Sequence, residues 1–393
     1  MGLFNFRRAM MVDFKLTDIH EMLRDSIRDF AENEIKPVAE ELDAKEEFSV
    51  ELFKKMADMN LFGLVIPEEY GGSGMDYLAY IIAIEEIARI DGSTAATVAA
   101  GNSLGIGPIY YFGNETQRKE WLPKLCAGEI LGSFGLTEPN AGSDAGGTQT
   151  TAVKKGSDWI INGSKIFITN ASSEVSGFTI AQAVTGQRPD GKKDYSCFIV
   201  PNNTPGYTTK TMHGKMMWRS SNTSELYFED CKVPESSMLG KQGDGFKQML
   251  STLDRGRLAI AAMGLGGAQG AYELALKYAN ERVQFGKKIC KFQANAFKLA
   301  DMATEIEAAR WLLYRACWLL DQNLPFQKEA AMSKLYCSEV MSRVVNEAVQ
   351  IHGGYGLMRE YHVERFYRDQ KLLEIGEGTS EIQRLVISRY IGC

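Results

Sequence analysis

Residues 159–170 read Trp-Ile-Ile-Asn-Gly-Ser-Lys-Ile-Phe-Ile-Thr-Asn, and this stretch sets the fold class of the middle of the chain. β-Branched and aromatic residues dominate both of its halves, as in strands that pack against a core. The dipeptide Asn162-Gly163 separates the halves, and it favours a two-residue hairpin turn because both residues tolerate positive φ. The stretch therefore predicts two short strands joined by a tight turn.

Similar short β-rich runs recur across residues 131–240. They include Phe178-Thr-Ile-Ala, Ser196-Cys-Phe-Ile-Val and Ser224-Glu-Leu-Tyr-Phe. Several short strands with turns between them are typical of a barrel or a sandwich. We therefore predict a β-barrel domain over residues 131–240.

Helical spacing replaces this pattern on the N-terminal side, over residues 1–130. Apolar residues recur every three or four positions, which gives a buried stripe on a helix. The first stripe contains Leu16, Ile19, Leu23, Ile27 and Phe30. We predict an N-terminal helical domain here.

Long helices are expected on the C-terminal side, over residues 241–393. Residues 292–322 and 326–350 are nearly free of Gly and Pro, and long amphipathic helices of this kind form bundles. The predicted fold is mainly α with a β domain, and its C-terminal domain is a four-helix bundle.

Composition excludes several classes of function. The formal net charge is −6 and no long basic run occurs, which argues against nucleic-acid binding. No apolar run reaches 18 residues, so no membrane span is expected. Met1–Met11 has no apolar stretch long enough for a secretory signal.

The seven cysteines are scattered and form no Cys-x-x-Cys pair, which is typical of reduced thiols in a cytoplasmic protein. The four histidines lack metal-ligand spacing, so we expect no metal site. Gly264-Leu-Gly-Gly-Ala-Gln misses the dinucleotide fingerprint at its sixth position and lies in a helical region. We interpret its glycines as positions of close helix–helix packing.

Four further segments carry the candidate chemistry. Residues 134–146 (Phe-Gly-Leu-Thr-Glu-Pro-Asn-Ala-Gly-Ser-Asp-Ala-Gly) form a donor-rich turn that suits a flavin edge or a phosphate. Residues 281–287 place Arg, Gln and Phe where they suit a pyrophosphate and a stacked ring. Residues 350–356 are a glycine-rich helix exit. In residues 375–384 the carboxylate of Glu377 lies between two glycines at a helix start. Taken singly, each segment also fits an ordinary loop or helix cap.

Taken together and in this order, the segments at 134–146, 159–169, 254–286, 350–356 and 375–384 resemble the acyl-CoA dehydrogenase family. The resemblance covers nearly the whole chain. It implies FAD as cofactor, an acyl-CoA substrate, electron-transfer flavoprotein as electron acceptor, and a homotetramer built as a dimer of dimers. It also implies the same helical, β and helical domain order.

The resemblance assigns two groups of residues to FAD. Near the flavin ring it places Phe134, Leu136, Thr137, Gly142, Ser143, Phe167 and Thr169. Phe167 stands where the family often has Trp, which keeps a stacking surface but loses the indole N–H. At the ADP half, often from a neighbouring subunit, or closing over the cofactor, it places Arg282, Gln284, Phe285, Gln293, Gln350, Gly353, Gly354, Thr379 and Glu381.

The resemblance also assigns the chemistry. Glu377 takes the pro-R α-proton of the thioester while flavin N5 takes a β-hydride, which gives a trans-2-enoyl-CoA. Hydrogen bonds from a flavin ribityl hydroxyl and the Glu377 N–H stabilise the developing enolate. Substrate contacts are expected from Ser143, Asp254, Arg257, Gly376 and Gly378. For Arg257, an intrahelical ion pair is a compatible alternative.

Two glycines sharpen the assignment. Some branches of the family carry the base near position 256, and Gly256 leaves Glu377 as the consistent choice. Straight-chain members commonly carry Tyr where this chain has Gly376, and isovaleryl-type members have Gly. We therefore predict a short branched or alicyclic acyl group, unless another side chain fills the gap. The alternatives are a straight short-chain (butyryl-type) dehydrogenase, an acyl-CoA oxidase, or a binding protein without catalysis.

Asp91 is a second carboxylate in the region that resembles the helix beside the acyl pocket. One hypothesis makes it a second base and substrate contact for a cyclic, unsaturated substrate. The alternative is an N-cap for a helix beginning at Gly92-Ser-Thr.

Overall fold

The computed structural model describes residues 15–393, so the prediction for Met1–Met11 lies outside the described residues. Helices make up the N-terminal part of the described chain. Their bounds are α1 (Asp18–Phe30), α2 (Lys36–Lys45), α3 (Val50–Asp58), α4 (Tyr77–Ala88), α5 (Gly92–Ala100), α6 (Gly107–Phe112) and α7 (Glu115–Cys126).

The predicted apolar stripe of α1 is confirmed over the C-terminal half of the helix. Ile27 and Phe30 are buried, whereas Ile19 is 65% exposed. Helix α4 differs because 11 of its 12 residues are buried, and all of these except Glu85 and Glu86 are hydrophobic. A helix that is hydrophobic on nearly all sides belongs in the interior, and α4 is accordingly packed between α1, α5 and the long helix at Gly245–Glu281.

A π-helical segment, Gly101–Ile106, connects α5 to α6 and lies against the first strand. A Cβ on Gly105 would come within 2.8 Å of the Gly132 carbonyl oxygen, so glycine is needed for this approach. The segment thus joins the N-terminal helices to the strand that leads into residues 134–146.

The middle of the chain forms an eight-stranded sheet. The strand bounds are β1 (Leu131–Gly135), β2 (Thr151–Lys155), β3 (Asp158–Thr169), β4 (Ser176–Gln187), β5 (Lys193–Pro201), β6 (Tyr207–Thr211), β7 (Thr223–Pro234) and β8 (Met238–Leu239). The strand order is β6-β7-β3-β2-β4-β5-β8, and β1 pairs in parallel with β4. Its apolar core includes Trp159, Ile161, Phe198, Leu226 and Phe228.

The predicted hairpin at Asn162-Gly163 is wrong. Both residues lie inside the continuous strand β3, which pairs with β7 and shifts its register between Ile161 and Gly163. Gly163 has φ of 146°, and a Cβ there would lie 2.5 Å from the Thr150 hydroxyl oxygen. The glycine therefore serves a strand irregularity and a close approach, and β2 and β3 turn at residues 156–157 instead.

Long helices follow the sheet, as predicted. The bounds are α8 (Gly245–Glu281), α9 (Gln293–Asp321), α10 (Gln327–His352), α11 (Val363–Leu373) and α12 (Ser380–Ile391), with the short strands β9 (Val283–Gln284) and β10 (Lys287–Lys288) between α8 and α9. The predicted order of helical, β and helical domains is confirmed, while the exact domain boundaries stay a prediction.

The glycines of α8 pack closely against neighbouring helices, as predicted. A Cβ on Gly264 would lie 3.0 Å from the Cys337 carbonyl oxygen of α10, and one on Gly266 would lie 2.2 Å from the Glu85 carbonyl oxygen of α4. Helix α8 therefore packs against both the N-terminal helices and the other C-terminal helices. Among residues 15–393, no helix has the length and apolar character needed to cross a membrane.

Candidate active site

Glu377 lies in a tight turn between α11 and α12. Glu377 and Gly378 have positive φ angles of 50° and 94°. A non-glycine residue in this conformation generally costs about 1–3 kcal/mol and is found where surrounding contacts enforce it. Helix α12 then begins at Ser380, and the Thr379 hydroxyl accepts a hydrogen bond from the Ile382 N–H. The predicted helix start is confirmed.

The Glu377 carboxylate packs against Gly256 of α8. A Cβ at position 256 would lie only 1.9 Å from Glu377 Oε2. Although the residue as a whole is partly exposed, Oε2 is buried and has no hydrogen-bond partner among the described residues. Burial raises the pKa of Glu377 to about 7, against the opposing charges of Arg257 and Lys334. Glu377 is therefore a carboxyl group poised to exchange a proton near neutrality.

Arg257 is buried one helical position from Gly256. Its guanidinium pairs with Asp254 one turn earlier, so the intrahelical ion pair considered as an alternative is present. Arg257 Nε is also buried, and it has no partner in the described part of the chain. The ion pair thus leaves the Arg257 Nε–H without an acceptor, while the charge of Arg257 acts on Glu377.

Two residues that the sequence reasoning missed hold the carbonyl groups of the turn. Lys334 of α10 donates to the Gly378 carbonyl oxygen at 2.7 Å. Gln383 of α12 donates from Nε2 to the carbonyl oxygens of Gly378 at 2.9 Å and Glu377 at 3.2 Å. Neither residue lies in a motif that suggests this role, because the contacts depend on how α10 and α12 pack.

Gly376 has space beside it. The three atoms nearest to a Cβ at this position would belong to Leu372, at 3.4–3.6 Å. These are ordinary van der Waals separations, so no other side chain occupies the place where a Cβ of residue 376 would lie.

The loop at 134–146 meets strand β3 and forms an exposed rim with it. The Ile166 N–H donates to the Thr137 carbonyl oxygen at 2.9 Å, which places Thr137 next to Phe167. Phe167 is 62% exposed and has a positive φ of 62°. Gly142 and Ser143 are exposed in the same loop. The less exposed members of the predicted group are Phe134, Leu136 and Thr169.

A buried ion pair that the sequence reasoning missed anchors this loop. Lys165 Nζ lies 2.8 Å from Glu138 Oε1 and donates to the Leu136 carbonyl oxygen at 3.3 Å. Glu138 also accepts hydrogen bonds from the N–H groups of Gln149 and Thr150. Removing one partner of such a buried pair leaves an uncompensated charge, so the pair fixes the start of the loop.

A cleft of about 760 Å³ brings together several of the residues predicted to hold the ADP half of FAD. The predicted residues that line it are Arg282, Gln284, Phe285, Gln350, Gly353 and Gly354. Other residues that the sequence reasoning missed also line it, among them the aromatic residues Tyr278, Phe292 and Tyr355. The cleft therefore combines a guanidinium, aromatic rings and glycines that leave open space.

Three residues of the same prediction do not line this cleft. Gln293 begins α9 between the lining residues Phe292 and Asn295. Thr379 caps α12, and Glu381 is exposed in the first turn of that helix. Cofactor roles for all three stay predictions.

Asp91 is the N-cap of α5, which is the structural alternative considered for this residue in place of a second base. Its Oδ2 accepts hydrogen bonds from the Thr94 N–H at 2.7 Å and the Thr94 hydroxyl at 2.8 Å. Its Oδ1 lies 3.4 Å from Arg365 Nε. Burial and the nearby Asp91 raise the pKa of Asp369 to about 7. Asp91 thus has a structural role, and its substrate contact stays a prediction.

Models of one family match most of the chain. The acyl-CoA dehydrogenase N-terminal domain matches residues 17–129, the middle domain residues 133–231, and the C-terminal domain residues 243–392.

Individual proteins are similar over nearly their whole length. The probable acyl-CoA dehydrogenase YngJ of Bacillus subtilis is 53% identical over 380 residues, covering 97% of this chain and 100% of the relative. The short-chain-specific acyl-CoA dehydrogenase of Clostridium acetobutylicum is 46% identical with the same coverage. The structure of butyryl-CoA dehydrogenase from Megasphaera elsdenii matches with a TM-score of 0.93 at 44% identity, covering 97% of this chain and 100% of that one.

Proposed function

The chain belongs to the acyl-CoA dehydrogenase family, and from this premise we propose that it dehydrogenates short straight-chain acyl-CoA thioesters with Glu377 as the base. It is an FAD-dependent oxidoreductase that acts on CH–CH bonds. The observation that carries the role of Glu377 is its buried, unpartnered Oε2 against Gly256.

The chemistry requires a base for a weakly acidic α-hydrogen. Glu377, with its pKa raised to about 7, accepts that proton in its ionised form and becomes neutral. The Glu377 N–H makes no hydrogen bond to another group among residues 15–393, so it is available to the thioester carbonyl oxygen. When bound, FAD supplies the acceptor for the hydride that leaves Cβ. The acyl-CoA thus loses one proton to Glu377 and one hydride, and becomes the 2-enoyl-CoA.

The cleft between α8 and the exit of α10 fits the ADP half of FAD. Arg282 supplies a cation for the pyrophosphate, and Phe285 offers an exposed ring for stacking. Gly353 and Gly354 have open space where a side chain would stand, so a ligand can approach the backbone. We assign the isoalloxazine half to the rim formed by Thr137, Ser143 and Phe167 with its neighbours.

The exposure of the cleft supports an assembly in which a second subunit covers it. Phe285 is 95% exposed in the single chain, and large exposed aromatic groups are characteristic of interfaces. We therefore keep the homotetramer as a proposal, with electron-transfer flavoprotein as the proposed acceptor.

The straight-chain substrate rests on the relatives, whose names specify short-chain and butyryl-CoA activity. One observation favours the second candidate, a short branched or alicyclic acyl group. This observation is that Gly376, where straight-chain members commonly carry Tyr, would meet its nearest neighbour Leu372 only at contact distance if it had a Cβ. The two candidates share the base and differ only in the volume available beside Cα and Cβ.

Anaerobic bleaching of the flavin by a panel of acyl-CoA thioesters tests the function. We expect butyryl-CoA to bleach the holoenzyme faster than isobutyryl-CoA or cyclohexanecarbonyl-CoA. The reverse order would favour the second candidate, and no bleaching by any of the three would contradict the proposed function. Peroxide formed in equal amount to product in air would identify an oxidase instead.

Gly376→Tyr separates the two substrate candidates. If the space is used by branched or cyclic groups, the substitution depresses their oxidation more than that of butyryl-CoA. An equal loss on all substrates would remove the argument from Gly376.

A further inference from the structure

Lys334 is a fully buried lysine of α10 that touches the catalytic turn. Its side chain has no exposed surface, and its Nζ lies 2.7 Å from the Gly378 carbonyl oxygen. No carboxylate among the described residues lies within ion-pair distance of this ammonium, so its direct partner is a peptide carbonyl. Burial lowers the pKa of Lys334 to about 8, opposed chiefly by Glu377. Burying a charged group is costly unless it is compensated, so its position opposite the turn requires an explanation.

The carbonyl that Lys334 binds belongs to the strained part of the turn. Glu377 and Gly378 both have positive φ, and the Gly378 carbonyl oxygen is held a second time by Gln383. The Glu377 carbonyl, in the peptide plane before Gly378, accepts from Gln383, and the Gly378 carbonyl, in the plane after it, accepts from both Gln383 and Lys334. With both peptide planes held, the backbone from Glu377 to Thr379 resists the rotation that would displace the Glu377 side chain. Lys334 and Gln383 approach the Gly378 carbonyl from different helices, α10 and α12.

We propose that Lys334 is a positioning residue for Glu377, since its ammonium fixes the Gly378 carbonyl so that the carboxylate stays against Gly256, and its charge favours the ionised base. This inference rests on the proposed function of Glu377.

The charges around the two groups set the direction of the effect. Glu377 faces Arg257 of α8, Lys334 of α10 and the Tyr80 phenol of α4. Lys334 in turn faces Glu377, Arg257, Glu374 and Glu381. Removing the ammonium leaves Arg257 as the cation beside Glu377, so the carboxyl becomes harder to ionise. The pH at which the base becomes active must therefore rise.

The test compares Lys334→Met with the wild-type holoenzyme. We measure the exchange of butyryl-CoA α-protons with solvent deuterium between pH 5 and 9, together with bound FAD. We expect Lys334→Met to retain FAD, to move the midpoint of the exchange profile upward by about one unit, and to lower the plateau rate about tenfold.

Two further variants separate charge from position. Gln383→Leu removes the uncharged donor on the same carbonyl, so it should lower the plateau rate without moving the midpoint. Lys328→Met removes a partly exposed lysine of the same helix that pairs with Glu329, and it should change neither value. Should Lys334→Met fail to fold, Gln383→Leu still tests whether the hydrogen bonds to the Gly378 carbonyl position Glu377. An unchanged plateau rate in Gln383→Leu would overturn the positioning role.

An unchanged midpoint and plateau in folded Lys334→Met would overturn the inference, as would an equal midpoint shift in Gln383→Leu. Failure of the proposed function looks different, because exchange would then be absent from the wild type or would survive in Glu377→Gln.

Discussion

The catalytic turn and the cleft at the end of α8 are the two parts of this site, and they are built in opposite ways. In the turn, the Glu377 and Gly378 carbonyls are held by Lys334 and Gln383, and the carboxylate is fitted to Gly256. Contacts among the described residues therefore hold the proposed base in place. Such preorganisation removes reorientation from the chemical step.

In the cleft, by contrast, key side chains are exposed and make few contacts with the rest of the chain. Phe285 is 95% exposed and has a positive φ of 50°, and Arg282 is also exposed. Exposed, strained aromatic residues are found where a ligand or another chain makes up the missing contacts. The difference indicates that contacts within the chain hold the proposed base but leave the proposed FAD cleft open, so substitutions in the two regions should have separable effects.

Gly256→Ala is expected to have the largest effect of the substitutions that probe this contrast. The new methyl group would lie 1.9 Å from Glu377 Oε2, so the carboxylate must move. A displacement of about 1 Å lowers catalysis by about 100-fold, and we expect that loss in turnover with FAD content unchanged.

A double-mutant cycle on thermal stability provides the control for Gly256→Ala. The destabilisation should be smaller in a Glu377→Ala background, since the clash is with that carboxylate. Equal destabilisation in both backgrounds would show that Gly256 serves helix packing and not the base.

Phe285→Ala and Arg282→Ala should have the next largest effect, and only on the cofactor. Loss of the stacked ring or of the guanidinium should raise the Kd for FAD about tenfold or more. Turnover at saturating FAD should stay near the wild-type value. Lys288→Ala, in the same short hairpin but outside the cleft lining, is the matched control. Unchanged FAD affinity in both cleft variants would contradict the assignment.

The pH dependence of flavin reduction by the substrate tests the ionisation of Glu377 without involving the cleft. Because burial raises the pKa of Glu377 to about 7, the base is protonated below that pH. We expect the rate of flavin reduction to rise about tenfold per pH unit up to about 7 and then to level off.

The same shift has a consequence for stability. A carboxyl group whose pKa is raised in the folded state is harder to ionise there than in the unfolded chain. Glu377 therefore lowers the free energy of unfolding as the pH rises from the ordinary pKa of a Glu to about 7. Glu377→Gln should therefore raise the melting temperature more at pH 8 than at pH 5. A melting temperature that is unaffected at both values would mean that Glu377 ionises with an ordinary pKa.

Asp91→Asn should have the smallest effect. Asn caps helices about as well as Asp, so the hydrogen bonds to Thr94 can be kept. We expect turnover within about twofold of the wild type, whereas Asp91→Ala should lose about 1 kcal/mol of stability. A large loss of turnover in a stable Asn variant would instead favour Asp91 as a second base.

The order of the domains and the turn that carries Glu377 could be predicted from the sequence because they rest on local patterns. The stretches nearly free of Gly and Pro predicted α9 and α10 nearly to their observed ends. Glycines on both sides of Glu377 marked the turn before α12, and the glycines of α8 marked close packing.

The parts that could not be predicted depend on partners distant in the chain. Asn162-Gly163 has the composition of a hairpin turn, but pairing with β7 keeps it inside a strand. Lys334 lies 44 residues before Gly378, and no local pattern connects them. Tyr278 and Phe292 join the cleft only because the exit of α10 folds back beside the end of α8.

The most direct test of the central claim is the exchange of butyryl-CoA α-protons with solvent deuterium by the wild type and by Glu377→Gln. We predict exchange by the wild type and a fall to the background rate in the variant, with the same FAD content and visible flavin spectrum. Exchange that persists in a correctly folded, FAD-loaded Glu377→Gln variant would contradict the assignment of Glu377 as the base.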